Sequence, residues 1–237
     1  MKRILVPTRD GSDWQRLLAK PALHWKKGAS AMPAAASWEA AAGALPAELS
    51  TLLDSSGVPN LARLELLMAI PEWETALEGG VTNSQTDVLA ICSNASGLCA
   101  IAVEAKVNED FGPLIGEKRR AASPGQSRRL EFLQTLLGAQ EFNDTIRYQL
   151  LHRTAAALLI ARQFHALAAV MLIQSFGNKP SLRADFDAFG DALGAVEQAP
   201  GLLAVRRFSA PALFLGWCDG DGRFLNVQIP SAPEFNS

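Results

Sequence analysis

The hydrophobic pattern changes period several times along the chain. From Leu98 to Val107 apolar residues occupy both alternating sets: Cys99, Ile101, Val103 and Ala105 on one side, Leu98, Ala100 and Ala102 on the other, before Glu104 and Lys106. A period of two with both faces apolar predicts a central strand covered on both sides. Thr86 to Cys92 reads as a second strand and Asn94 to Gly97 as the turn between the two. Trp73 to Leu77 reads as a short strand closed by the Gly79-Gly80 turn signal, and the three runs predict an antiparallel meander. Ala169 to Phe176 predicts another buried strand, and Leu202 to Phe208 and Leu213 to Trp217 predict two more.

Helical spacing governs the rest. Pro33 to Ala42 reads as a short helix with proline in its first turn and Gly43 past its end. Leu61, Leu64, Leu66, Leu67 and Ile70 predict a second helix ended by Pro71. Gly125 to Leu137 carries a leucine stripe closed by Gly138. Asp144 to Phe164 predicts a long helix with Asp144 as N-cap, and Ser181 to Leu193 a further one capped by Ser181. The order α-α-βββ-α-α-β-α-β-β predicts one α/β domain over residues 1–229, with a mixed central sheet flanked by helices. The polar tail, 230–237, is expected to be disordered.

Composition narrows the class. Of 237 residues 49% are hydrophobic and 19% charged, which excludes wholesale disorder. The longest purely apolar run, Ala166 to Ile173, has eight residues; a bilayer span needs about 20, so no membrane helix is expected. The basic start lacks the apolar stretch of a signal peptide. Cys92, Cys99 and Cys218 are odd in number and in no metal-ligand spacing, as expected of core thiols in a reducing cytoplasm. Net charge is −2, but residues 1–27 carry seven Lys/Arg against two Asp/Glu, and residues 117–162 carry eight against four. Those two segments together would make a basic face.

The candidate chemistry lies at the end of the strongest strand. Glu104 and Lys106, two apart, point to one face. Asp87 starts the neighbouring strand and can meet Glu104 at one edge. Two carboxylates beside an ammonium are hard oxygen ligands that suit Mg²⁺, and such charges are costly to desolvate unpartnered. Other patterns fail. Gly112 to Lys118 lacks the spacing and the final Ser/Thr of a phosphate loop, and reads instead as a loop over the edge of the site. His24, His152 and His165 show no zinc spacing. The five tryptophans read as packing residues.

Thr86-Asp87-Val88-Leu89-Ala90-Ile91, followed by Ile101-Ala102-Val103-Glu104-Ala105-Lys106, resembles the PD-(D/E)xK phosphodiesterase superfamily, with Thr86 in place of the usual proline. The resemblance implies a restriction-endonuclease-like α-β-β-β-α-β core over about residues 34 to 176, with the last helix and strands as additions. It implies a nuclease: Asp87, Glu104 and the Ala105 carbonyl would bind Mg²⁺ or Mn²⁺, and Lys106 would orient or deprotonate the attacking water. Glu39 is the expected additional acid, with Glu72 and Glu74 as rivals. Arg147, Gln149 and Arg153 would contact nucleic acid, DNA by expectation, or Gln149 and Arg153 would brace the acids. The segments His24 to Gly28, Pro71 to Trp73, Ser84 to Asp87 and Arg147 to Thr154 are also similar to an uncharacterised bacterial domain family. Two other functions fit the residues: a non-catalytic module binding nucleic acid or protein, and an enzyme acting on a small phosphorylated substrate. Oligomeric state is not legible.

Overall fold

The computed structural model describes residues 10–139 and 141–231. The expected tail lies almost entirely outside them, as do three of the seven cations of the basic N-terminal segment. The described chain starts with a 3-10 segment, Gly11–Leu17, and the single turn α1, Pro21–His24. Two helices follow, α2 at Ala31–Ala40 and α3 at Ala47–Ser55. Then come strands β1, Glu65–Thr75, β2, Ser84–Asn94, and β3, Gly97–Lys106. Three helices, α4 at Ile115–Arg120, α5 at Pro124–Leu136 and α6 at Tyr148–Gln163, lead to β4, Ala168–Ser175. Helix α7, Pro180–Ala192, precedes β5, Val196–Ala199, β6, Leu202–Ser209, and β7, Ala212–Asp219.

The seven strands form one mixed sheet in the order β1-β2-β3-β4-β7-β6-β5. The meander is antiparallel, β4 runs parallel to β3 and to β7, and β6 and β5 return antiparallel. Each face buries its own core. Ala100, Ala102, Leu89, Ile91, Met171 and Ile173 pack under α5, α6 and α7. Ile101, Val103, Val88, Ala90, Val170 and Leu172 pack under α2, α3 and the N-terminal segment with Trp14, Trp25 and Trp38. The double-sided apolar pattern of β3 is thus the pattern of a strand inside a helix–sheet–helix sandwich. No helix among the described residues is long and apolar enough to cross a membrane.

Three expectations need correction. Residues 61–70 do not form a helix: most of them belong to edge strand β1. A bulge between Leu66 and Met68 adds one residue, so the inward positions Leu66 and Ala69 lie three apart and imitate helical spacing. Pro71 is tolerated because the strand is at the edge of the sheet. Helix α6 starts four residues later than expected. Asp144 is not its cap but pairs with Arg119 at 2.5 Å, and Arg147 is the extended residue before the helix. Helix α7 is preceded by Lys179, not capped by Ser181, because Pro180 takes the first helical position. Helices α3 and α4 and strand β5 were not legible.

The parallel neighbours β3 and β4 are locked at their ends. Phe176 N–H donates to the Lys106 carbonyl at 2.7 Å, and Gly177 then passes so close to Val107 that an added Cβ would lie 2.0 Å from its carbonyl oxygen. A backbone neighbour cannot rotate away, so Gly177→Ala is expected to lower stability by about 1–3 kcal/mol. Urea unfolding measures this, and a loss under about 0.5 kcal/mol, the level of a neutral surface change, contradicts it.

Candidate functional site

Alternation along the strands decides which side chains meet. Leu89 and Ile91 of β2 and Ala100 and Ala102 of β3 face α6, so Asp87, Glu104 and Lys106 continue the same face as the strands reach their ends. The pairing of β2 with β3 ends at Val88–Val103. One residue beyond, the Asp87 carboxylate accepts the Ala105 backbone N–H at 2.7 Å. The Ala105 carbonyl leaves the strand on the same side as its N–H, toward Asp87.

Glu104 is buried and fully partnered. Lys106 Nζ lies 2.8 Å from Oε1, Gln149 Nε2 donates to Oε1 at 2.7 Å, and Arg153 Nε donates to Oε2 at 2.5 Å. Lys106 also donates to Gln149 Oε1 at 3.1 Å and sits over the Phe111 ring. Gln149 and Arg153 are one turn apart on α6, so a single helix face supplies both. They brace the acid, which is one of the two roles expected of them. Arg153 bonds Ser84 Oγ as well, at 3.1 Å.

A third acid joins the cluster. Pro71 pairs with Val88 and Trp73 with Thr86, which puts Glu72 across from Asp87 on the edge strand. Its φ is +53°, a left-handed conformation that costs a non-glycine residue about 1–3 kcal/mol. Glu72, Asp87, Glu104 and Lys106 line one cleft of about 500 Å³ with Gln149, Arg153 and His152. Trp14, His24, Trp25 and Ala34 form its other wall. Glu109 ties that wall on: its carboxylate accepts the N–H groups of Val107 and Asn108 and, at 2.6 Å, that of Ser30. Gly112, Pro113 and Lys118 border the cleft, as expected for the segment read as its edge, although α4 begins within it.

Three predicted site residues lie elsewhere. Glu39 accepts from the Trp14 indole at 2.9 Å and borders a separate depression with Asp10 and Ile229, so Glu72 is the additional acid in the cleft. Glu74 is exposed and bonded to Asn83. Arg147 pairs with Asp185 at 2.8 Å and donates to the Gly112 carbonyl, and it does not line the cleft. Half of the eight cations in 117–162 are consumed internally: Arg119 by Asp144, Arg129 by the carbonyls of Leu77, Glu78 and Thr82, Arg147 by Asp185 and Arg153 by Glu104. Tertiary pairing thereby shrinks the expected basic face. Glu72 was legible only as an alternative, since a bulged proline-containing edge strand does not advertise where its side chains point.

The three acids titrate unequally. Burial, then Asp87 and Glu104, push Glu72 up to about 9 against the pull of Arg153. Burial and Glu104 push Asp87 up to about 7, opposed by Arg153, Lys106 and the Ala105 N–H. Burial also works against ionised Glu104, but Arg153 and Lys106 outweigh it and hold it down at about 2. Glu104 is thus held ionised by its cations, while burial favours the protonated forms of Glu72 and Asp87.

Residues 7–222 match the model of a domain of unknown function, DUF6946. The chain belongs to that family. This agrees with the similarity to an uncharacterised domain family, and the match embraces every cleft residue named above. No curated protein and no solved structure matches the chain.

Two outcomes follow from the charges. Folded Asp87 and Glu72 keep protons that the unfolded chain releases near 3.8 and 4.5, and lose them only near 7 and 9. Folding therefore takes up protons in that window, and stability should fall as pH rises from about 4 to about 9 in metal-free buffer. Melting temperatures across that range should show the fall, and Glu72→Gln should flatten its upper half; an unchanged slope in Glu72→Gln contradicts the assignment. Arg153→Met strips a buried carboxylate of its partner and should cost about 3–5 kcal/mol. Adding Glu104→Gln should restore part of that loss in a double-mutant cycle.

Proposed function

We propose that this DUF6946 protein is a metal-dependent phosphodiesterase acting on nucleic acid, with DNA the expected substrate. The observation that carries the reading is the convergence of Asp87, Glu104 and Lys106 with a third acid, Glu72, in one cleft. The restriction-endonuclease-like core is part of the same proposal. It is supported by an antiparallel meander, a covering helix α6 and a strand β4 parallel to β3, in the order the PD-(D/E)xK resemblance implies.

The donor chemistry fits a divalent cation. Asp87, Glu104, Glu72 and the Ala105 carbonyl are hard oxygen ligands of the kind Mg²⁺ and Mn²⁺ take. Two of the acids carry protons that a cation would displace. Asp87 and Glu104 with the Ala105 carbonyl would hold the ion, which would supply an activated water and neutralise charge on a phosphoryl oxygen. The chain's own residues do the remaining work. Arg153 keeps Glu104 ionised. Lys106, fixed by Glu104 and by Gln149, places a positive charge beside the acids where the transition state gains negative charge. Glu109 holds the opposite wall of the cleft to the end of β3.

One observation favours a non-catalytic binding module. Both oxygens of Glu104 are already bonded, and among the described residues no three His, Cys, Asp or Glu side chains are grouped to hold an ion. The two readings separate experimentally. Mg²⁺ or Mn²⁺ at millimolar levels should raise the melting temperature of the wild type and raise it less in Asp87→Asn and Glu104→Ala. Lys106→Ala should lose cleavage by at least about a hundredfold while still responding to metal, because the ammonium acts on transition-state charge rather than as a ligand. Equal thermal shifts in all proteins remove the metal site. Cleavage by Lys106→Ala at the wild-type rate removes its role, and a wild type that cuts no duplex, single strand or RNA leaves the binding module.

A further inference from the structure

Lys106 and Arg153 are spent on Glu104, but two other donors of the cleft are not. Lys118, on α4, borders the cleft and has no carboxylate partner among the described residues. Its ammonium lies 5.3 Å from the centroid of the Tyr148 ring. His152, one turn along α6, also contacts this ring, its centroid 5.1 Å from that of Tyr148. Tyr148 thus touches both a cation and an imidazole that line the cleft.

The hydrogen bonds favour one tautomer of the imidazole. A guanidinium only donates, so Ser84 Oγ accepts from Arg153 Nη1 at 3.1 Å. The serine proton then has two acceptors in reach, His152 Nδ1 at 2.8 Å and the His152 carbonyl at 3.4 Å, and the shorter contact favours Nδ1. In that arrangement Nδ1 is the bare nitrogen and Nε2 carries the proton. Burial and the charge of Arg153 hold the ring neutral, well below its ordinary titration range. Among the described residues Nε2 has no acceptor, and the ring lines the cleft. The chain Arg153–Ser84–His152 presents a fixed, uncharged N–H at the cleft surface.

We propose that Lys118 and His152 form an oxyanion subsite beside the acid cluster, taking a phosphate oxygen. An ammonium supplies charge, and a neutral N–H supplies direction without adding a second charge to be desolvated. That the phosphate is part of a phosphodiester substrate rests on the proposed function; the anion site itself does not.

The test uses ¹⁵N-histidine-labelled full chain. The protein has three histidines, so three ring systems appear, and His152→Gln identifies the one concerned. At neutral pH the His152 ring should show a protonated Nε2 and a bare Nδ1, unchanged between about pH 5 and 8, where an ordinary histidine titrates. Ser84→Ala should lose the fixed tautomer. Inorganic phosphate, added at constant ionic strength, should move the His152 Nε2 resonance and leave that of His165, beyond the far end of α6, in place. Lys118→Gln should weaken this response about tenfold, as loss of one charge-assisted hydrogen bond does, without altering the tautomer. A protonated Nδ1, a phosphate titration that leaves His152 unmoved, or an equal response in Lys118→Gln overturns the proposal. None of these readouts needs metal or cleavage, so their failure and the failure of the phosphodiesterase reading are distinguishable.

Discussion

The site is organised around one buried carboxylate. Glu104 sits near the end of a strand covered on both sides, where an unpaired charge would cost far more than the domain could sustain. Arg153, Lys106 and Gln149 meet that demand together. Two of the three come from α6, so satisfying Glu104 also sets the rotation of α6 against the sheet. That rotation then fixes Tyr148 and His152, because they lie on the same helix. The arrangement of the cleft is thus a consequence of a single desolvation problem.

The compensation is incomplete. Burial, reinforced by the neighbouring carboxylates, favours the protonated forms of Glu72 and Asp87. Glu72 reaches the cluster through a left-handed backbone conformation on an edge strand, where neighbouring structure constrains the chain least. Strain of this sort persists where surrounding contacts over-determine it, and here it delivers a third oxygen donor.

Economy of cations also shapes what can bind. Arg119, Arg129, Arg147 and Arg153 are used to fasten loops, helices and the buried acid. Of the cations of 117–162 not used in this way, Lys118 borders the cleft. Glu109 adds a further constraint, since it joins the N-terminal segment, which lines the cleft, to the end of β3.

Much was legible without coordinates. The period of two in Thr86 to Cys92 and Leu98 to Lys106, the turn between them and the buried run before Phe176 depend on local alternation, and they determined the centre of the sheet. The pairing of Asp87 with Glu104 and Lys106 followed from the same alternation plus one hairpin. The rest lay in tertiary structure, for identifiable reasons. The bulge in β1 gave its inward residues helical spacing, so the edge strand and Glu72 were misplaced together. Capping by Asp144 failed because Arg119, distant in sequence, claims its carboxylate. Glu39 has the right residue type on the right helix, but the helix presents it to Trp14 instead of the cleft. Whether Arg147 and Arg153 were free or spent could not be read from charge counts, because a cation's partner is set by which elements pack together. The amino-acid sequence by itself determined which residues could form an acid site; only the packing of α6 and the N-terminal segment on the sheet decided which of them share one cleft, since burial and charge pairing are properties of neighbours in space.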